Sequence, residues 1–423
     1  MTSRYTDRRG LLRYLAGASA ARAGDEMSGP ALLLLGFAVT GRPQAGSGLL
    51  ACLTIAGAAG GPLFGALLDR SRRPDRLLAG TLAAYALGIV ALQAAVGRVP
   101  AAALAVIALL AGLFGPAVAG GWTAQLPRVV TGRELERGSA LDGLTFSAAS
   151  LAGPALAAGV AAGIGSRAAV LAAAGLVGLA APSACSLSRY RPTATGPGDR
   201  TSLRRQLAEG FAVIVARRPL LRATVTSAVS YTGIGLLLVC CPLLGAQRLG
   251  GAPRGALLIS AIAVVSLTAN AILARRRQAN PRPDIRVLVS TLVIGASMAA
   301  AALTPGWFTL AAVALGGAGE GPQLTALLAV RHRETPAHLR GQVYTTAASL
   351  KIGGLAAGAA LAGPLAGWSL TGCLLIAAGT ELCAAATYLT AAVTGPGRRG
   401  ATAPSRPSDA GSGTSADSPA RSG

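Results

Sequence analysis

Apolar residues along this chain form long runs separated by short polar breaks. Dividing the sequence at charged residues and at Pro/Gly clusters gives twelve runs, each near the roughly 20 residues that a helix needs to cross the hydrocarbon core of a bilayer. The first six lie at residues 11–39, 47–68, 77–96, 101–125, 141–163 and 168–187. The second six lie at residues 220–245, 255–274, 285–303, 307–330, 342–365 and 369–393. The pattern predicts a polytopic membrane protein.

The runs are predicted to be helices, because a backbone exposed to lipid must satisfy its hydrogen bonds within its own segment and the runs lack the alternation of barrel strands. The predicted fold class is therefore all-α integral membrane, with twelve transmembrane helices in two six-helix halves. The predicted divisions are an N-terminus (1–10), a first half (11–187), a linker (188–219), a second half (220–393) and a tail (394–423).

Two of these divisions lie outside the predicted spans. In the linker, Leu203, Leu207, Phe211 and Ile214 recur at helical spacing among charged residues, which predicts an amphipathic surface helix. The tail is dominated by Gly, Ser, Pro, Ala and Arg. We expect it to be disordered, because such a segment has too few apolar residues to pack.

Basic residues are distributed unevenly between alternate loops. Of the 38 Lys and Arg residues, two lie inside spans (Arg22 and Lys351) and five lie in one set of loops (Arg42, Arg98, Arg167, Arg248 and Arg254). All others lie in the opposite set, which includes both termini. By the positive-inside rule, this set is cytoplasmic. We therefore expect a multi-pass protein of the plasma membrane with both termini in the cytoplasm.

Composition supports the membrane interpretation and argues against other classes. The chain is 52% hydrophobic with only 13% charged residues, and its mean hydropathy is +0.54. The net charge of +22 does not indicate a nucleic-acid partner, because the arginines occupy short loops without interleaved aromatic residues. The six cysteines and two histidines lack metal-ligand spacing, so we expect neither a metal site nor a cofactor.

The two halves resemble each other in the order of their motifs. Gly115-Pro116 recurs as Gly321-Pro322, and an arginine-rich loop follows each pair. The segment SAASL at 147–151 then matches TAASL at 346–350, and Ala-Gly-Pro follows in both, ending at Pro154 and Pro364. Abundant Ala and Gly favour chance matches, but the segments occur in the same order in both halves, which indicates an internal repeat.

The end of the second span carries the segment GALLDRSRR at residues 65–73. Through Arg73, its spacing resembles the first nine positions of the signature G-x-x-x-D-R-x-x-R-R of the major facilitator superfamily, with Arg72 where the family has a middle Gly. The resemblance implies a fold of two six-helix halves and a conformational latch on the cytoplasmic side, formed by Gly65, Asp69, Arg70 and Arg73. Gly153, Pro154 and Gly159 resemble part of the Gly-Pro motif of drug/proton antiporters in that family, and ordinary helix packing explains them equally well. The overall pattern is similar to drug and macrolide efflux members, although the fourth span lacks the Arg that many of those antiporters carry.

Charged residues inside apolar spans are candidates for function, because each costs about 2.5–3.5 kcal/mol to insert. They are Arg22, Asp25 and Glu26 in the first span, Glu320 in the tenth and Glu381 in the twelfth, with Asp142 at the entrance of the fifth. Arg22 precedes Asp25 and Glu26 by three and four residues. We therefore expect the three side chains to share a helix face and their opposite charges partly to compensate one another. We expect Arg22, Asp25, Glu26, Glu320 and Glu381 to contribute to the transport path or to proton coupling. A salt-bridged structural network in the first span is the alternative.

These observations predict a secondary transporter that works by alternating access. We expect proton-coupled efflux of small lipophilic or cationic compounds by a monomer. Uptake, another solute, or a sensor that does not transport remain alternatives. No span carries a nucleophile with a base at helical spacing or a paired carboxylate motif, so we do not expect an enzyme.

Overall fold

The computed structural model describes residues 8–41, 43–130, 134–187, 202–251, 254–275 and 282–393. Within these residues the first half contains α1 (Arg8–Thr40), α2 (Pro43–Arg70), α3 (Pro74–Ala95), α4 (Ala101–Gly112), α5 (Gly120–Thr123), α6 (Leu126–Val129), α7 (Glu134–Gly163) and α8 (Ser166–Ser186). The linker helix is α9 (Leu203–Ala216). The second half contains α10 (Arg218–Arg248), α11 (Gly255–Arg275), α12 (Pro283–Leu303), α13 (Phe308–Glu334), α14 (Arg340–Trp368) and α15 (Leu370–Val393). The expected tail lies outside the described residues.

The all-helical membrane fold is confirmed. Ten segments of the described chain are long and apolar enough to cross a membrane. Helices α1 and α13 are 33 and 27 residues long but are not among the ten, because they carry the charged residues Arg22, Asp25, Glu26, Glu320 and Arg331. The count of twelve crossings therefore stays a prediction at these two helices.

The two halves repeat one packing arrangement. In the first half α1 packs on α7 and α8, α3 packs on α8, and α2 packs on α4. In the second half the matching helices make the matching pairs: α10 packs on α14 and α15, α12 packs on α15, and α11 packs on α13. Each half also has its own hydrophobic core. Two matching interfaces, α2 with α14 and α7 with α11, then join the halves.

The fourth span departs from the continuous helix that its apolar run predicts. Helix α4 ends at Gly112, a 3-10 turn follows at Gly115–Ala117, and the short helices α5 and α6 complete the span. Pro116 lies in that turn, and proline lacks the N–H that would continue a helix. Its repeat partner Pro322 lies inside the unbroken helix α13. The Gly-Pro dipeptide therefore breaks the helix of the fourth span in the first half but lies within the continuous helix α13 in the second half.

The linker helix α9 closes one end of the bundle. We call this end the arginine-rich end, because Arg70, Arg218, Arg275 and Arg340 mark the helix termini there. The face of α9 that packs inward contains Gln206, Gly210 and Ile214, whereas Phe211 is exposed. Gln206 donates to the Ala66 carbonyl oxygen at 3.4 Å, and Gln342 donates to that of Leu207 at 2.9 Å. The helix thus contacts both halves.

Candidate functional site

A cavity of about 400 Å³ lies between the two halves. Its walls are mostly apolar, with contributions from α1, α5 and α7 on one side and from α10 to α14 on the other. Five charged residues line it: Asp25 and Glu26 from the first half, and Glu320, Arg331 and Lys351 from the second. An apolar cavity with a few convergent charged groups is the usual form of a site for a small ligand.

Lys351 projects from α14 between aromatic rings of both halves. Its Nζ lies 4.1 Å from the ring centroid of Tyr231 on α10 and 5.8 Å from that of Phe146 on α7. Both distances are within the range of cation–π attraction. Glu320 and Glu26 are its neighbouring carboxylates and interact with it electrostatically. Lys351 therefore lies in an aromatic cage of two rings, within electrostatic range of two acids.

The adjacent carboxylates of α1 point to different neighbours. Asp25 Oδ1 accepts a hydrogen bond from Tyr85 Oη on α3 at 2.7 Å. Glu26 Oε1 accepts one from Ser150 Oγ on α7 at 3.1 Å. Consecutive helical residues are about 100° apart around the helix axis, which allows the pair to reach two helices while both line the cavity.

Arg22 does not pair with Asp25 or Glu26, so the expected compensation within α1 is wrong. Its guanidinium forms a buried salt bridge with Asp142 Oδ1 on α7 at 2.9 Å, contacts Thr145, and donates to Thr123 Oγ1 at 2.9 Å. Asp142 also accepts from the hydroxyls of Tyr14 at 2.7 Å and Thr123 at 2.9 Å. The carboxylate on α7 therefore has three side-chain donors, from α1 and α5, and the Arg22 guanidinium points towards it and away from the acidic residues of its own helix.

Glu381 lies behind the cavity wall, fully buried in the second half. Ser230 Oγ donates to its Oε1 at 2.9 Å, while Oε2 is buried without a hydrogen-bond partner in the described structure. Gln323 extends the network by hydrogen bonding to Ser230 at 3.2 Å and to Thr291 at 2.7 Å. Neither Glu381 nor Arg22 is among the residues that line the cavity.

The halves meet closely at the arginine-rich end. Asp69 on α2 accepts the backbone N–H of Gly341 at 2.7 Å and that of Gln342 at 2.8 Å, both in the first turn of α14. A helix N-terminus favours a carboxylate in this position. A Cβ at Gly65 would lie 2.6 Å from the Gly341 carbonyl oxygen, so only glycine allows this approach. Arg70 and Arg73 are exposed beside it.

At the opposite end, glycines on helices from both halves face open space. A Cβ at Gly159, Gly163, Gly363 or Gly367 would meet no atom within 4 Å. Closer to the centre, Ser349 donates to the Gly57 carbonyl oxygen at 3.1 Å and Asn270 donates to Ser147 at 3.0 Å, both across the two halves. Hydrogen bonds therefore join the two halves from the arginine-rich end to the centre of the bundle.

The expected packing motif on α7 divides into two environments. A Cβ at Gly153 would lie 2.6 Å from Glu26 Cβ, so this glycine allows α1 and α7 to approach. Pro154 lines the cavity. Helix packing does not explain Gly159, because the space at its Cβ position is open.

The sequence-family model of the Major Facilitator Superfamily matches residues 14–359 of this chain. The chain belongs to the major facilitator superfamily. It is a multi-pass membrane transporter of the secondary type, as expected for members of this family.

Relatives of this superfamily member differ widely in what they carry. The chain is 29% identical over 392 residues to y4rN of Sinorhizobium fredii, an uncharacterized MFS-type transporter, in a match that covers 90% of this chain and 94% of that one. Among solved structures, the fold is similar to the E. coli fucose:proton symporter, with a TM-score of 0.71, 12% identity and coverage of 91% and 99%. It is also similar to the human organic anion transporter MFSD10, with a TM-score of 0.69, 16% identity and coverage of 90% and 99%. At these identities the likeness shows the fold alone.

Sequence reasoning missed several residues of this transporter's cavity. Lys351 is the only lysine of the chain and lies inside an apolar span, a signal as strong as that of Glu320. Arg331 was assigned to a loop, yet it is 4% exposed in α13 and lines the cavity. Tyr231 and Phe146 carry no sequence signal, because an aromatic residue in an apolar span looks like core.

Proposed function

We propose that this protein is a proton-coupled exporter of small lipophilic or cationic compounds in the plasma membrane. The observation that carries the proposal is the cavity itself, where acidic groups of both halves (Asp25 and Glu26 in one, Glu320 in the other) face a mostly apolar space. Apolar walls suit lipophilic compounds, and buried carboxylates suit cations and protons. A monomer with cytoplasmic termini is sufficient for this mechanism.

The transport cycle we propose is a rocking of the two halves about the cavity. Asp69 and Gly65, with Arg70 and Arg73 beside them, form the cytoplasmic latch, and the contact between Asp69 and the first turn of α14 supports this role.

Transport assays with a lipophilic cation test the carboxylates. Everted membrane vesicles containing the protein, given an acidic lumen, are expected to accumulate ethidium. Glu320→Gln and Asp25→Asn should abolish this pH-driven uptake, because a neutral amide cannot exchange a proton. Glu209→Gln, at an exposed position of α9, is the matched control and should transport normally. Unchanged transport in both cavity variants would refute their role in coupling.

The latch is tested by distances between the halves. Asp69→Ala removes two hydrogen bonds to a charged group, each worth about 1.5–3 kcal/mol, and should populate a conformer that is open at the arginine-rich end. Spin labels at Arg76→Cys and Arg218→Cys, in a background without native cysteines, should then show a longer distance. An unchanged distance distribution would contradict the latch.

A second candidate function is the transport of an anion. Arg331 favours it, because its Nε and Nη2 are buried without a hydrogen-bond partner among the described residues, and because the residue lines the cavity. Uptake of an anionic probe into the same vesicles, lost in Arg331→Gln, would favour this candidate.

A further inference from the structure

The lysine in the cavity occupies a site built for a cation. The Tyr231 ring at 4.1 Å and the Phe146 ring at 5.8 Å flank the Lys351 ammonium, and the carboxylates of Glu26 and Glu320 attract it electrostatically. Aromatic faces with acidic neighbours are the usual recognition elements for organic ammonium groups. The site also spans the molecule, since Phe146 and Glu26 belong to the first half and the other members to the second.

We infer that Lys351 is a tethered competitor that fills the cation site when no substrate is bound, and that the substrates are organic cations which displace it. The inference rests on the proposed export function and narrows it to cations. Lysine suits the role because its long flexible stem lets the ammonium leave the cage. Phe146 is held in place independently, with the Arg22 guanidinium carbon 3.5 Å from its ring centroid.

The competition makes a specific prediction about affinity. Without Lys351, the rings and carboxylates remain but their internal cation is gone. A like charge within a few ångströms also no longer opposes the incoming cation. At an effective dielectric constant of about 20, such a repulsion changes an affinity by at least about tenfold. Removing a positively charged cavity residue should therefore strengthen the binding of cations and weaken the binding of anions.

Two probes of equal shape and opposite charge test this inference. We expect purified Lys351→Met, in detergent micelles, to bind tetraphenylphosphonium at least about tenfold more tightly than the unchanged protein. Tetraphenylborate, the anion of matching shape, should bind no more tightly. Arg167→Met, which removes an exposed positive charge outside the cavity, is the control and should leave both affinities unchanged. If Lys351→Met binds the phosphonium equally or more weakly than the unchanged protein does, or binds the borate more tightly by the same factor, the inference is overturned.

The cage itself is tested in the Lys351→Met background. Adding Tyr231→Phe keeps the ring and should keep the gained affinity, whereas adding Tyr231→Leu should lose about fivefold of it, as expected for one cation–π contact. Equal affinities in these two variants would overturn the cage. Equilibrium binding requires neither a proton gradient nor transport. A failure here is therefore distinguishable from failed export in vesicles, which would refute the proposed function and leave the cation site standing.

Discussion

Asp142 and Glu381 are both completely buried carboxylates, but the two halves treat them differently. In the first half, Asp142 has a salt bridge to Arg22 and hydrogen bonds from the hydroxyls of Tyr14 and Thr123. In the second half, one oxygen of Glu381 accepts from Ser230 and the other is unpartnered in the described structure. A buried charge is tolerated when it is paired and hydrogen-bonded. Asp142 therefore has the surroundings of a structural residue, and Glu381 those of a group that can exchange a proton.

Charged residues inside the spans look alike in the sequence but have different surroundings in the structure. By its position in the sequence, Arg22 costs as much to insert into the membrane as Glu320 does, but its salt bridge and side-chain hydrogen bonds lie within the first half. The charged groups of the cavity are different, because Glu26, Glu320 and Lys351 come from both halves and face a space that a ligand can enter. Partners, more than burial, therefore distinguish Arg22 from the charged groups of the cavity.

The largest effect is expected from breaking the paired charge in the first half. Arg22→Met leaves Asp142 buried without its cation, which should cost about 3–5 kcal/mol of the free energy of unfolding. The measurement is thermal unfolding in detergent micelles, where the variant should show a lower Tm. Adding Asp142→Leu removes the unpaired charge, so the double variant should recover most of the loss. A single variant as stable as the unchanged protein would refute the structural role of the pair.

The sequence predicts the helices of this protein far better than the partners of its charges. Lipid requires each span to satisfy its own backbone, so apolar runs locate helices directly. The partner of Arg22 lies 120 residues away on α7, and no local pattern encodes that choice. Spacing favours the near neighbours Asp25 and Glu26, whereas tertiary packing brings Asp142, Thr123 and Tyr14 together.

The candidate site was predictable only in part, for the same reason. Asp25, Glu26 and Glu320 are visible as charges in apolar runs, and the structure places all three on one cavity. Sequence cannot assign Glu381 to a buried network behind the wall or Lys351 to an aromatic cage, because both assignments depend on how helices of the two halves face each other. The open space at Gly159, beside the tight contact at Gly153, likewise depends on packing.

A smaller effect is expected at the helix contact that brings Arg22 and Asp142 together. Gly153→Ala places a methyl group against Glu26 Cβ, 2.6 Å away, and so pushes α1 from α7. Overpacking of this kind costs about 1–3 kcal/mol, which should lower the Tm by less than Arg22→Met does. Gly159→Ala, six positions along the same helix, is the matched control and should leave the Tm unchanged or slightly raised. If both substitutions have the same effect, close packing of α1 on α7 does not support the charged pair.

The smallest effect on stability is expected at Glu381, the buried carboxylate of the second half that differs most from Asp142 in its partners. Glu381→Gln leaves no cation unpaired, since the described residues provide none for it, and the amide oxygen can still accept from Ser230. Removing a carboxyl group with one unpartnered oxygen should change the free energy of unfolding by less than about 1 kcal/mol. Thermal unfolding of Glu381→Gln and Arg22→Met under the same conditions provides the measurement. A loss at Glu381 as large as that at Arg22 would mean that the second half holds its carboxylate as firmly as the first. In that case the unpartnered oxygen could not distinguish a proton-exchanging group from a structural one.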